Sequence, residues 1–72
     1  MFYEVWDTST ANIVASVPTQ TEALDIVRRM VERNGTEIVH QLALVEDDGD
    51  EHTITIAHGG ELSQLVMERL RA

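Results

Sequence analysis

The 72-residue chain contains no cysteine and no lysine, and only one proline, one tryptophan, one tyrosine and one phenylalanine. Without disulfides, a domain of this size depends on one small hydrophobic core, and such chains often gain stability by binding a second copy or another protein. No apolar run approaches the ~20 residues that cross a bilayer. The N-terminus lacks the basic and then apolar layout of a signal peptide. We therefore expect one cytoplasmic domain, residues 1–72, with no membrane partner.

Basic residues are scarce, because thirteen acidic side chains face five arginines and the formal net charge is −8. Such a surface repels phosphate backbones, so direct binding of nucleic acid is disfavoured. Two explanations of the acidity stay open. A GC-rich or salt-adapted host favours acidic proteins in general. An antitoxin-like protein or a mimic of nucleic acid would instead use its acidity to neutralise a basic partner.

The clearest signal lies between Pro18 and Gly35 and predicts one amphipathic helix. Thr19 and Glu22 have the spacing of a capping box, in which the hydroxyl accepts from the Glu22 amide and the carboxylate accepts from the Thr19 amide. Asn34 and Gly35 supply the positive-φ residue that ends many helices. Between these ends the apolar residues recur on one stripe. The stripe consists of Ala23, Leu24, Ile26, Val27, Met30 and Val31.

The opposite side of this helix is charged. Spacings of four residues predict ion pairs between Asp25 and Arg29 and between Arg28 and Glu32, each stabilising the helix by about 0.3 kcal/mol. A second, shorter helix is predicted from Glu61 to Arg71, after a Gly59-Gly60 break in the pattern. Its apolar face would consist of Leu62, Leu65, Val66 and Leu70.

Four segments have the alternating or β-branched pattern that is typical of strands. We predict strands at Phe2–Asp7, at Ile13–Val17, from a start between Ile38 and Gln41 through Glu46, and at Thr53–Ala57. Residues 36–41 could open with a helical turn. The order β-β-α-β-β-α predicts an α+β fold with a four-stranded, mostly antiparallel sheet and both helices on one face. The order of the strands within the sheet is not readable from the sequence.

Alternation along the strands assigns side chains to the two faces of the sheet. Those expected to face the helices are Tyr3, Val5, Ile13, Ala15, Val17, Ile54 and Ile56. Phe2, Glu4 and Trp6 point the other way, as does Val14. Aromatic residues on an uncovered face are typical of interaction hot spots. We expect Phe2, Trp6 and Val14 to form an interface, unless loops or the second helix cover them or the register shifts by one residue.

No catalytic or metal-binding constellation is recognisable. His52 and His58 are six residues apart, which separates them by about 20 Å along a strand and prevents them from chelating one metal. The acidic loop Glu46–Glu51 does not match an EF-hand, because centring the motif on Gly49 puts Leu44 at the first ligand position. We therefore predict no catalytic residue, no cofactor, no metal and no enzymatic activity. A ligand binder using a histidine and the acidic loop would need a pocket.

A Y-x-V-x-D strand, a polar turn, a second strand and T-x-x-E-A-L opening a helix resemble small, stand-alone, uncharacterised bacterial proteins of about this length. The residues that carry the resemblance are Tyr3, Val5, Asp7, Ser9, Asn12, Thr19, Glu22, Ala23 and Leu24. The resemblance implies a fold and no activity. The first half is also similar to HicB-type antitoxins, although it lacks the third strand that those proteins place before their helix. No residue role is transferred from either group.

These observations favour a small protein–protein interaction module of unknown biological role. Its partner would be another protein or a second copy of the chain, and a homodimer packed sheet to sheet is the simplest form. The alternative is an antitoxin-like or nucleic-acid-mimicking protein that neutralises a basic partner.

Overall fold

A computed structural model describes residues 1–50 and 52–71 of the chain. It contains four strands, two α-helices and one 3₁₀ helix and has the predicted α+β order. In chain order the elements are β1 (Phe2–Asp7), β2 (Asn12–Val17), α1 (Gln20–Asn34), the 3₁₀ helix (Thr36–Gln41), β3 (Leu42–Asp47), β4 (Thr53–His58) and α2 (Gly59–Arg71). Glu51 of the predicted acidic loop lies outside the described residues, as does the side chain of Leu70.

The four strands form one sheet with the order β2-β1-β3-β4, and every neighbouring pair is antiparallel. The two central strands are therefore β1 and β3, and the edge strands are β2 and β4. The segment containing α1 and the 3₁₀ helix takes the chain from edge strand β2 past β1 to β3. This arrangement confirms the predicted antiparallel sheet.

Both helices pack on the same face of the sheet. A single core cluster joins the buried side chains of α1 and α2 to those of the strands. Its members are Val5, Ala23, Leu24, Val27, Val39, Leu42, Leu44, Ala57, Leu62 and Val66. The thinnest dimension of the Cα trace is 17 Å, as two layers require. At roughly 2 kcal/mol for each fully buried aliphatic side chain, this cluster is the main source of stability.

The ends of α1 follow the predicted chemistry with one change. The Thr19 hydroxyl oxygen accepts from the Glu22 amide at 3.2 Å, as expected. The reciprocal bond differs, because the Glu22 carboxylate accepts from the Thr19 hydroxyl at 3.2 Å rather than from the Thr19 amide. At the other end, Gly35 has a φ of +88° and donates its N–H to the Val31 carbonyl at 2.8 Å.

Five predicted element boundaries are wrong. Strand β2 begins at Asn12 rather than at Ile13, and β3 ends at Asp47 rather than at Glu46. The 3₁₀ helix occupies all of residues 36–41, so β3 begins at Leu42. Strand β4 continues through His58, one residue beyond the predicted end. Helix α2 begins at Gly59 rather than at Glu61. Gly59 is the reason, because its φ of +55° allows the chain to turn from the strand directly into the helix.

Two side chains predicted to face the core do not reach it. Ile54 is 65 % exposed, because it lies at the hairpin end of edge strand β4 and outside the core cluster. Ile13 is 48 % exposed, because it pairs with Trp6 and therefore lies on the face opposite the helices. Ile56 fits the prediction, since it packs partly buried against the core.

On the charged side of α1, one predicted ion pair is present, and Asp25 has a partner that was not predicted. Arg28 and Glu32 pair at 2.8 Å, as the spacing indicates. Asp25, however, accepts a hydrogen bond from Nε of Arg69 on α2 at 3.1 Å, and Arg28 Nε lies 3.9 Å from it. The Arg69 bond is the main cause that lowers the pKa of Asp25 below its ordinary value. This contact joins the two helices at the surface, a long-range pairing that spacing within α1 cannot reveal.

Candidate protein-interaction face

The face of the sheet opposite the two helices, called here the open face, is the candidate site. Cross-strand partners share a face, so the pairing register identifies its side chains. They are Phe2, Glu4, Trp6, Ile13, Val14, Ser16, Ala43, Val45, Asp47, Thr53, Thr55 and His58. All three predicted interface residues, Phe2, Trp6 and Val14, belong to it.

A β-bulge concentrates apolar surface at one edge of the open face. Val5 pairs with Ala15 but Trp6 pairs with Ile13, so Val14 has no partner on β1. A bulge of this kind breaks the alternation and turns an additional side chain outward. Val14 is 44 % exposed and adjoins the exposed Ile13. The shift of one residue therefore moves only Ile13 to the other face, and the residues of β1 keep their predicted faces.

The two aromatic side chains lie partly against the sheet. Phe2 and Trp6 are half-buried rather than fully exposed. Beside them Ala43 is 7 % exposed and Val45 is 9 % exposed, although no helix covers them. We attribute this burial to their larger neighbours on β1, because Trp6 is paired with Ala43 and adjoins Val45 diagonally. The apolar surface left uncovered runs from Trp6 to the bulge.

Glu4 lies at the centre of the open face and is the residue that sequence reasoning missed. It is only 7 % exposed. Its cross-strand partners are Ser16 and Val45, and Phe2 and Trp6 flank it on its own strand. A buried charge normally requires a partner. The signal in the sequence is a carboxylate that lies between two aromatic residues on the same face of one strand.

The Glu4 carboxylate has one described hydrogen bond. The indole N–H of Trp6 donates to its Oε1 at 3.3 Å. Among the side chains that the structure describes, in residues 1–50 and 52–69, every fully buried oxygen and nitrogen has a hydrogen-bond partner. Since the Trp6 bond occupies the first oxygen, the second oxygen must keep contact with solvent. The face therefore presents a half-desolvated carboxylate beside an aromatic ring.

The two faces of the sheet differ in the charged residues that they carry. All five arginines belong to α1 or α2, which lie on the helical side. The open face contains the carboxylates of Glu4 and Asp47 and the imidazole of His58, and no arginine is placed on it in the described chain. An acidic, partly aromatic surface is the result.

The acidic loop between β3 and β4 bonds its own backbone. Asp47 accepts from the Gly49 amide at 2.8 Å, and Asp48 accepts from the Asp50 amide at 2.8 Å. The Asp50 bond is the main cause that lowers the pKa of Asp48. Gly49 has a φ of +89°, a conformation that glycine adopts readily in tight turns. These carboxylates act as turn residues.

Two shallow grooves lie beside the edge strands of the sheet, each between a strand and a helix. The groove between β4 and α2 has a volume of about 320 Å³ and is lined by Ile56, Ala57, Glu61, Gln64, Leu65 and Glu68. The groove between β2 and α1 has a volume of about 270 Å³ and is lined by Val17, Glu22, Asp25, Ile26 and Arg29. Neither set contains a histidine, serine or threonine, and the ionisable side chains that line the grooves are carboxylates and Arg29.

The histidines do not converge on a metal site. His52 Nδ1 lies 3.2 Å from Asp48 Oδ2 in the loop, whereas His58 lies on the open face. Within residues 1–50 and 52–71, no three histidine, cysteine or acidic side chains are arranged to hold a metal ion. None of the described helices is long and apolar enough to cross a lipid bilayer.

Comparison of the chain with models of protein families found no match, and neither curated proteins nor solved structures gave a match.

Proposed function

We propose that this protein is a small interaction module that binds another protein chain through the open face. The observation that supports it most is the uncovered apolar surface beside a central carboxylate. Ile13 is 48 % exposed and Val14 is 44 % exposed, and both adjoin the half-buried ring of Trp6. Contiguous apolar surface that contains an aromatic residue is characteristic of protein interfaces.

The dimensions of the face suit a modest interface. Four strands spaced about 4.8 Å apart and six residues long span roughly 19 Å by 20 Å. The area covered on one partner is then on the order of several hundred Å², close to the lower end for specific complexes. A regulatory or adaptor contact fits this size better than a permanent assembly does.

Two occupants compete for this face. A homodimer packed sheet to sheet is the occupant that the sequence predicts, and it stays a prediction. A basic protein, neutralised by an antitoxin-like or mimicking surface, is the second candidate. The charge distribution favours the second, because the open face is acidic and all five arginines are in the helices.

Selection of randomised displayed peptides on the wild-type protein tests the proposal. We expect peptides that lose at least about tenfold in affinity when Val14 is replaced by glutamate, because a charge at an interface core opposes burial. Val14 is a better probe than Trp6, since removing Trp6 would also expose Glu4.

Ile54→Glu is the matched control. Ile54 is also an exposed aliphatic residue on an edge strand, but it lies outside the open face. The selected peptides should bind this variant as they bind the wild type. Peptides that ignore Val14→Glu and fail on Ile54→Glu would place the binding surface elsewhere, and an empty selection would contradict an interaction module of this kind.

A further inference from the structure

We propose that the partner presents an arginine to the open face, where its guanidinium bonds the free oxygen of Glu4 and lies against the ring of Trp6. This inference rests on the proposed function and names the chemistry of the occupant. The occupant is a separate, basic protein chain and not a second copy.

The occupant must donate a hydrogen bond to Glu4 because only one oxygen of this carboxylate has a partner within the described part of the protein. In the free protein its first oxygen accepts from Trp6 and its second oxygen meets solvent. A partner that covers Trp6 and Val14 also removes water from this second oxygen. A carboxylate that loses water without gaining a donor destabilises the complex, so the occupant must supply one.

The surroundings of the oxygen select an arginine. A guanidinium donates planar, charge-assisted N–H groups and stacks on aromatic rings, whereas an ammonium is more strongly hydrated. The Trp6 indole nitrogen is 3.3 Å from the neighbouring Glu4 oxygen, so an arginine bound at Glu4 is within reach of the face of that ring. Contact between an arginine and tryptophan adds favourable electrostatic energy.

A second copy does not supply this group. In a symmetric dimer centred on Trp6 and the bulge, the two Glu4 carboxylates approach each other. The open face has Ser16, Thr55 and His58 nearby, but its sequence positions include no arginine. The arginines of α1 could reach Glu4 of another copy only in a head-to-tail contact, which does not close into a dimer. The face therefore disfavours its own copy and favours a basic chain.

The test is a titration of the protein with a synthetic peptide amide in which valine and arginine alternate. The comparison peptide contains citrulline in place of arginine, which keeps the shape and removes the charge. Binding is followed by the fluorescence of Trp6, the only tryptophan. We expect the citrulline peptide to bind at least about tenfold more weakly.

Glu4→Gln identifies the residue responsible. Glutamine keeps an oxygen that can accept from Trp6, so the fold should persist, as circular dichroism will verify. The arginine peptide should bind this variant at least about tenfold more weakly. Glu37→Gln removes the same charge from an exposed position on the 3₁₀ helix and should change the affinity less than about twofold.

Each of the other outcomes overturns the inference about arginine, and some of them leave the proposed function intact. Equal weakening by Glu4→Gln and Glu37→Gln would show attraction to net charge alone and overturn the inference. If the two peptides bind equally well, and both lose affinity for the Val14→Glu variant, the inference is overturned but the proposed function stays intact. A dimer seen by light scattering that Val14→Glu dissociates would make the occupant a second copy and overturn the inference. Absence of binding by the arginine peptide would overturn it as well, while the displayed-peptide selection still decides the proposed function.

Discussion

Individual carboxylates in this acidic chain have different structural roles. Asp7 accepts hydrogen bonds from the Ser9 hydroxyl at 2.6 Å and from the Ser9 amide at 2.9 Å, and the hydroxyl is the main cause that lowers the pKa of Asp7. Asp48 likewise accepts from backbone amides of its own loop. Glu4 differs, since it is buried at the centre of a sheet face with a single described bond. Net charge alone would not have distinguished the carboxylates that build turns from the one available to a partner.

The Asp25–Arg69 contact should make the stability of the protein depend on pH in acid. Because the folded pKa of Asp25 is lowered, its contribution is present above the ordinary value of 3.8 and is lost as the pH falls through the lower folded value. Asp25→Asn should therefore reduce the drop in the free energy of unfolding between about pH 6 and about pH 3, measured by urea titration. The contribution is small because the pair is exposed to solvent.

Two arginine variants check the assignment of that contact. Arg69→Gln should reduce the same pH dependence, because the Arg69 hydrogen bond is the main cause of the shift. Arg29→Gln, which removes the partner expected from helical spacing, should have a smaller effect. The reverse order would show that Asp25 pairs within α1.

At the scale of elements, local chemistry determines where helix α1 begins and ends. Its cap residues, its amphipathic stripe and the positive φ of Gly35 all depend on neighbours in sequence. For that reason α1 was predictable from the sequence. The strand faces were predictable only where alternation is uninterrupted, as it is in β1. The bulges opposite Val5 and Leu44 insert residues into β2 and β4, and no turn residue in the sequence marks them.

Removal of the N-cap of α1 should destabilise the whole domain. Thr19→Ala removes the oxygen that accepts from the Glu22 amide, and we expect the free energy of unfolding to fall by about 1 kcal/mol. Denaturant titration followed by circular dichroism measures this change. Thr21→Ala is the control, because Thr21 is exposed within the first turn and alanine is a better helix former. A loss of equal size in both variants would contradict the capping role.

At the scale of the whole molecule, the arginines are confined to the helices. Helices α1 and α2 contain all five arginines together with Glu22, Asp25, Glu32, Glu61 and Glu68, whereas the open face carries Glu4, Asp47 and the aromatic side chains of Phe2 and Trp6. The sequence was sufficient to predict the layers and the face of the sheet on which Phe2 and Trp6 lie. It was insufficient for the strand order, for the contact between Asp25 and Arg69, and for the burial of Glu4. Each of these depends on which distant segments become neighbours.

We expect the open face, and no other surface, to bind a basic protein chain. The most direct test maps backbone-amide and Trp6 indole chemical shifts by NMR during titration with the valine–arginine peptide. We predict that the largest changes fall on β1, on β2 around Val14, and on the indole N–H that donates to Glu4. Largest changes around Glu61 and Glu68, in the groove between β4 and α2, would contradict the claim.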